Sequence, residues 1–220
     1  MLHSTIGSYT IESINDSGQI LALPVPTVVP NEGYPFLPVS PVVLDGAAVR
    51  HLKTAPGNGA LFTGAIDTDG TVVGQADQTG QALVWTTDGK LRELKGDKDE
   101  NLISGIRDGW VIGASDEGDP SAAGEFAVAR WDLRTGAVTA FPNLRNPFGA
   151  KINSQGWFVA TSKDRPAVFW GDHVTVLPQP SGGRSGVGSA ATTISDDGHV
   201  IGGYTNRPNQ DVVPVRWTCH

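Results

Sequence analysis

One pattern recurs five times along this 220-residue chain, and it constrains the fold more than any other feature. It runs isoleucine, two to four mostly polar residues, glycine, then an apolar, largely β-branched stretch. The copies begin Ile14-Asn15-Asp16-Ser17-Gly18, Ile66-Asp67-Thr68-Asp69-Gly70, Ile106-Arg107-Asp108-Gly109, Ile152-Asn153-Ser154-Gln155-Gly156 and Ile194-Ser195-Asp196-Asp197-Gly198. A short polar segment ending in glycine between apolar runs encodes a tight turn between strands, because glycine reaches positive φ at little cost. The turn glycines, Gly18, Gly70, Gly109, Gly156 and Gly198, are separated by 52, 39, 47 and 42 residues.

Each unit carries further short strands. One ends in tryptophan four times, at Trp85, Trp131, Trp170 and Trp217, and in the first copy reads Val42-Val43-Leu44. A shorter one follows, as in Leu91-Arg92-Glu93-Leu94 or Val174-Thr175-Val176-Leu177. No stretch sustains the helical i, i+3, i+4, i+7 apolar spacing. Several short strands repeated every 40–50 residues or so are the signature of β-propeller blades. The chain therefore reads as all-β: one domain over residues 1–220, a five-bladed β-propeller with blades starting near the turns at 18, 70, 109, 156 and 198. The strand after each turn is expected to be innermost. The isoleucine strand is expected to be the fourth of the preceding blade. The last blade is then expected to be closed by both ends of the chain, with residues 3–7 and 9–15 completing the strands that end near Trp217. Closure of this kind removes an exposed sheet edge.

Composition narrows the function classes. Net charge is −7 and no basic patch is present to displace counterions from a phosphate backbone, which argues against nucleic acid. No apolar run approaches the roughly 20 residues of a membrane span, so no membrane partner is expected. Residues 1–7 show neither a basic start nor an apolar core of a leader, which points to the cytoplasm, or to export with the leader already lost. The single cysteine, Cys219, excludes an internal disulfide. It reads as an inert thiol rather than a nucleophile, which needs a base or helix N-terminus to lower its pKa. The five histidines have no metal-ligand spacing. Phosphate-loop, dinucleotide and nucleophile-elbow patterns are absent, so no metal and no cofactor are expected.

The unit Ile-Asn-x-x-Gly-x-Val-Val-Gly, followed by Trp and later Leu, resembles the HAF repeat of bacterial proteins. It also resembles Kelch repeats, most closely at Thr193-Ile194-Ser195-Asp196-Asp197-Gly198-His199-Val200-Ile201-Gly202-Gly203-Tyr204. The Kelch double glycine occurs once, at Gly202-Gly203; Gly74, Gly113 and Ala160 stand alone in the other copies. The resemblance implies a propeller and no particular activity, since such folds host many functions.

Loop lengths place the candidate site. The turns into the post-glycine strands are tight, whereas the connections on the other face vary greatly, as at 24–41, 115–125, 206–210 and 178–189, and long, variable loops on a rigid scaffold carry binding. Polar residues gather where those strands end: Gln75 and Asp77, Ser115 and Asp116, Ser162, Lys163 and Asp164, Tyr204 and Asn206. Glu32, Tyr34 and Phe36 lie in the longest loop and Arg184 in a glycine-rich one. Asp77, Asp116 and Asp164 are either a general acid/base set or strand-end residues that close turns. At the opposite mouth, Trp110, Trp157 and His199 either stack a ring-shaped ligand or pack between blades. The strand ends differ from copy to copy, which favours one specialised site over a multivalent lectin. The expected function is a small-molecule binding propeller whose partner is a small organic molecule or carbohydrate. A cofactor-independent enzyme (cyclase, isomerase, lyase or glycosidase) at the same site is the first alternative, and a lectin or interaction scaffold the second.

Overall fold

Four of the five repeated turns share one geometry. The glycine amide donates to the carbonyl three residues earlier, Gly18 to Asn15, Gly70 to Asp67, Gly156 to Asn153 and Gly198 to Ser195, at 2.9–3.0 Å. All five turn glycines have positive φ, from 72° to 89°. The third turn is shorter: Asp108 at φ 45° and Gly109 at φ 76° make a two-residue loop with the handedness that matches strand twist. The structure, a computed structural model, describes residues 9–25, 40–53, 61–76, 81–95, 101–116, 126–144, 151–163, 165–171, 173–180, 189–207 and 211–219. Among them there are strands and turns but no helix.

The strands form five antiparallel sheets, each in chain order. The first holds β1 (Tyr9–Ile14), β2 (Ile20–Pro24), β3 (Val42–Asp45) and β4 (Ala48–His51). The second holds β5 (Leu61–Ile66), β6 (Val72–Ala76), β7 (Ala82–Trp85) and β8 (Leu91–Glu93). The third holds β9 (Asn101–Arg107), β10 (Trp110–Asp116), β11 (Phe126–Asp132) and β12 (Ala137–Phe141). The fourth holds β13 (Phe158–Ser162), β14 (Arg165–Trp170) and β15 (His173–Val176), with Ile152 bridging to Phe158. The fifth holds β16 (Ser189–Ile194), β17 (Val200–Asn206) and β18 (Val212–Thr218).

This order corrects two expectations. The isoleucine strand opens each sheet and pairs with the strand after the turn; it does not close the preceding unit. The post-turn strand is second, not innermost. The physical reason is the turn itself: two strands joined by so few residues can only pair with each other. Residues 9–14 consequently belong to the first sheet and do not complete the last one. Residues 3–7 lie outside the described residues.

The chain falls into two compact units, Met1–Lys95 and Gly96–His220. In the first, Leu21, Val43 and Leu52 of one sheet pack on Ile66, Val72, Leu83 and Trp85 of the next. In the second, one cluster joins Ile112 and Val128 to Phe158 and Phe169, and another joins Val159 and Val168 to Ile194, Ile201 and Trp217. Each core thus lies between successive sheets. A sheet with both faces covered needs apolar residues on both sides, and so β7, Ala82-Leu83-Val84-Trp85, is buried throughout. Two of the repeated tryptophans, Trp85 and Trp217, are part of this seam. Trp85 Nε1 donates to the Lys53 carbonyl at 2.8 Å, and Trp217 Nε1 to the Pro178 carbonyl at 2.9 Å. Each bond reaches the segment that follows the preceding sheet's last strand.

Candidate functional site

The two ends of the strands have different chemistry. At the turn end, many polar groups bond from one sheet to another. Asn15 Oδ1 accepts from the amides of Ser17 and Gln19, while its Nδ2 donates to the Asp67 carbonyl of the next sheet's turn at 2.8 Å. Asn153 repeats the device: Oδ1 accepts from Gln155 and Trp157, and Nδ2 donates to the carbonyls of Ser195 and Asp196. Arg50 Nη2 donates to the Gly70 carbonyl and Arg130 Nη1 to the Gly156 carbonyl, again one sheet onward. Arg107 pairs with Asp196, joining the third sheet to the turn of the fifth.

The aromatic residues at this end are held in the same seams. Trp110 lies between the guanidinium groups of Arg130 and Arg134, 4.7 and 4.6 Å from its ring, and against Gly156. Trp157 lies against Gly198 and meets Trp170 edge-on. His199 is exposed, with Nδ1 3.0 Å from the Cys219 carbonyl. The two tryptophan rings thus make contacts between sheets or within them, while the His199 ring is exposed. Burial pushes the Cys219 thiol up, away from the thiolate.

A cleft of about 360 Å³ opens at the turn end of the first unit, lined by Gln19, Asp45, Arg50, Asp69 and Thr87 among others. Some of its polar groups are engaged: Gln19 Nε2 donates to Asp45, Asp69 accepts from Thr71, and Arg50 Nη2 donates to the Gly70 carbonyl, while Arg50 Nη1 is buried without a partner among the described residues. Burial pulls the Arg50 guanidinium below its ordinary pKa, and Asp69 works against that shift. This cleft has no mark in the sequence beyond Gln19 following its turn glycine.

At the loop end of the second unit, the polar groups are less committed. Tyr204 is exposed on β17. Two residues on, Asn206 Oδ1 is buried and accepts no hydrogen bond among the described residues. Between them Thr205 is buried, its hydroxyl 2.7 Å from that of Ser189, which also accepts from Gln179 Nε2. On the fourth sheet Ser162 is half-buried, and Lys163 is exposed at φ 47° in the tight β13–β14 loop. Ser115 and Asp116 end β10 at the corresponding position of the third sheet. In the first unit, Gln75 is half-buried near the end of β6. Asp77, Asp164, Glu32, Tyr34, Phe36 and Arg184 lie outside the described residues. The described His, Cys, Asp and Glu side chains form no group able to hold a metal ion.

Comparison with known proteins supports the architecture. No protein-family model matches the chain, and no curated protein matches it in sequence. Among solved structures it is similar to virginiamycin B lyase from Staphylococcus aureus, with 10% identity and TM-score 0.51 over 93% of this chain and 69% of that one. It is also similar to TolB from Acinetobacter baumannii, with 14% identity and TM-score 0.53 over 96% of this chain and 52% of that one. Acylaminoacyl peptidase from Pyrococcus horikoshii gives 12% identity and TM-score 0.60 over 96% of this chain and 38% of that one. These neighbours are β-propeller-type folds, and the likeness assigns that fold class to the chain.

Proposed function

We propose that the chain is a small-molecule binding protein whose five sheets are the blades of a five-bladed propeller, with a single site at the loop end of its strands. The second unit supplies the residues that carry this reading: Tyr204 and Asn206 first, with Ser162, Lys163, Ser115 and Asp116 from the loop ends of the other sheets. The supporting observation is the Asn206 Oδ1 atom, buried without a donor beside an exposed tyrosine. An unsatisfied buried carbonyl costs about 1–3 kcal/mol, and such groups persist where something outside the fold completes them. A small organic molecule or carbohydrate with a hydroxyl or N–H donor would satisfy Asn206, with its apolar face on Tyr204.

The test is native mass spectrometry of the protein after incubation with an extract of its source cells, repeated with Asn206→Ala and Tyr204→Ala. One bound species of a few hundred daltons per chain, lost in both variants, is the expected result. Several sugars per chain or a stable protein partner overturns it in favour of a lectin or scaffold. Asn206→Ala is expected to leave the urea midpoint unchanged or raised, because it removes an unpaired polar atom.

A further inference from the structure

The cleft between the first two sheets has a wall set by strand register. Leu21 pairs with Val43, and Val43 pairs with Arg50. Directly paired residues, and residues two apart on one strand, share a face. Asp45 and Arg50 therefore stand on the face of Leu21 and Val43, which pack against the second sheet. Gln19 joins them by donating to Asp45 Oδ2 at 3.0 Å. The second sheet completes the cleft with Asp69, Gly70 and Thr87. All of these residues lie within the first unit.

The charged groups of the cleft are unequally satisfied. Arg50 is half-buried; Nη2 donates to the Gly70 carbonyl at 2.7 Å, and Nη1 is buried without a partner among the described residues. The guanidinium makes no ion pair among those residues. Asp69 acts on it through charge alone, since its two oxygens accept from the amide and the hydroxyl of Thr71. Asp45 is exposed, accepts from Gln19 and pairs with no cation among the described residues. Val43, Ala48 and Val49 add an apolar lining to the cleft of about 360 Å³. A concave site with an apolar lining and a few convergent polar groups suits a small ligand.

A half-buried guanidinium with an unused donor favours an anionic acceptor. A plain anion also meets Asp45 and Asp69, and a plain cation also meets Arg50. A molecule that carries both charges on one carbon answers both sides. We propose that this cleft binds a small α-amino acid as its zwitterion. The carboxylate takes the bond that Arg50 Nη1 lacks, the ammonium faces Asp45 and Asp69, and an aliphatic side chain lies on Val43, Ala48 and Val49. Nη1 is closed to solvent in the free chain, so the guanidinium tilts toward the cleft as the carboxylate arrives. This site is in the first unit and is independent of the one built on Tyr204 and Asn206.

The test uses L-valine, N-acetyl-L-valine and L-valinamide, titrated into the ¹⁵N-labelled full chain. The first carries both charges, the second only the carboxylate and the third only the ammonium. L-Valine is expected to shift the amides of residues 45–50, Gly70 and Thr87 and the Nε–H signal of Arg50. Each single-charge analogue is expected to bind about tenfold more weakly or worse. Asp45→Asn keeps an oxygen for Gln19 and removes the charge, and it is expected to weaken L-valine severalfold. Equal binding of either analogue, equal binding to Asp45→Asn, or shifts absent from these residues overturns the proposal. D-Glucose, neutral and rich in hydroxyls, binding there in place of L-valine overturns it as well. Shifts centred on Tyr204 and Asn206 would do so while leaving the loop-end reading intact. Should the variant fail to fold, the three wild-type titrations decide.

Discussion

Single residues in the turns do more than turn the chain. Asn153, 1% exposed, closes its own loop with one side-chain atom and ties the next sheet's turn with another. Asn153→Ala strands the Gln155 and Trp157 amides and takes one donor from each of the Ser195 and Asp196 carbonyls, and a loss of about 2–3 kcal/mol is expected by urea denaturation. Gly198 has φ 72°, and a Cβ there would sit 2.5 Å from the Trp157 ring. Gly198→Ala is expected to cost at least about 2 kcal/mol from strain and overlap together. Trp157→Ala in the same chain should recover the overlap part, which a double-mutant cycle reads directly. Glu12 has a pH signature of its own. Its pKa is raised in the folded chain, so the folded state holds the proton more tightly. Stability therefore falls as pH rises from the ordinary glutamate value through the raised one. Glu12→Gln should flatten that part of the stability profile; an unchanged slope in wild type and variant would refute the assignment.

At the scale of elements, the sheets are built to be gripped in their middle. Second strands such as β10 pair on both sides, with β9 and β11. Fourth strands such as β4 and β12 pair on one side within their sheets. Amide exchange is expected to be slowest in β6, β10 and β17 and faster in β4, β8 and β12. Equal protection across a sheet would contradict this order. The tryptophan that ends the third strand holds its sheet to the one before. Trp85→Ala removes a side chain that is 1% exposed and leaves the Lys53 carbonyl unpaired, an expected loss of about 3–5 kcal/mol. The turns, the short strands and the tryptophan rhythm were legible in the sequence because each is local: a glycine, an alternation, an aromatic at a strand end. Which strands share a sheet was misread, because a pattern repeated every 40–50 residues or so can be cut at any phase, and only the tightness of the turn selects the hairpin.

For the whole molecule, the two units have separate apolar clusters, one around Trp85 and others around Phe158 and Trp217. Native-state hydrogen exchange in low denaturant is expected to show two cooperative groups dividing near residue 95; a single common opening would refute the division. The candidate site was legible only in outline. Long loops marked one end of the strands, and Tyr204 and Asn206 stood out as polar strand-end residues. The sequence did not show that Asn206 would be left without a partner, nor that Trp110 and Trp157 would be occupied by Arg130 and by the next turn. By itself the sequence determined an all-β chain of five repeated units, since periodicity and turn chemistry act within a few residues. Tertiary structure decided which groups those units spend on each other and which they leave open, because the clasps join residues 20 to 89 positions apart, and that pairing exists only once one sheet lies on another.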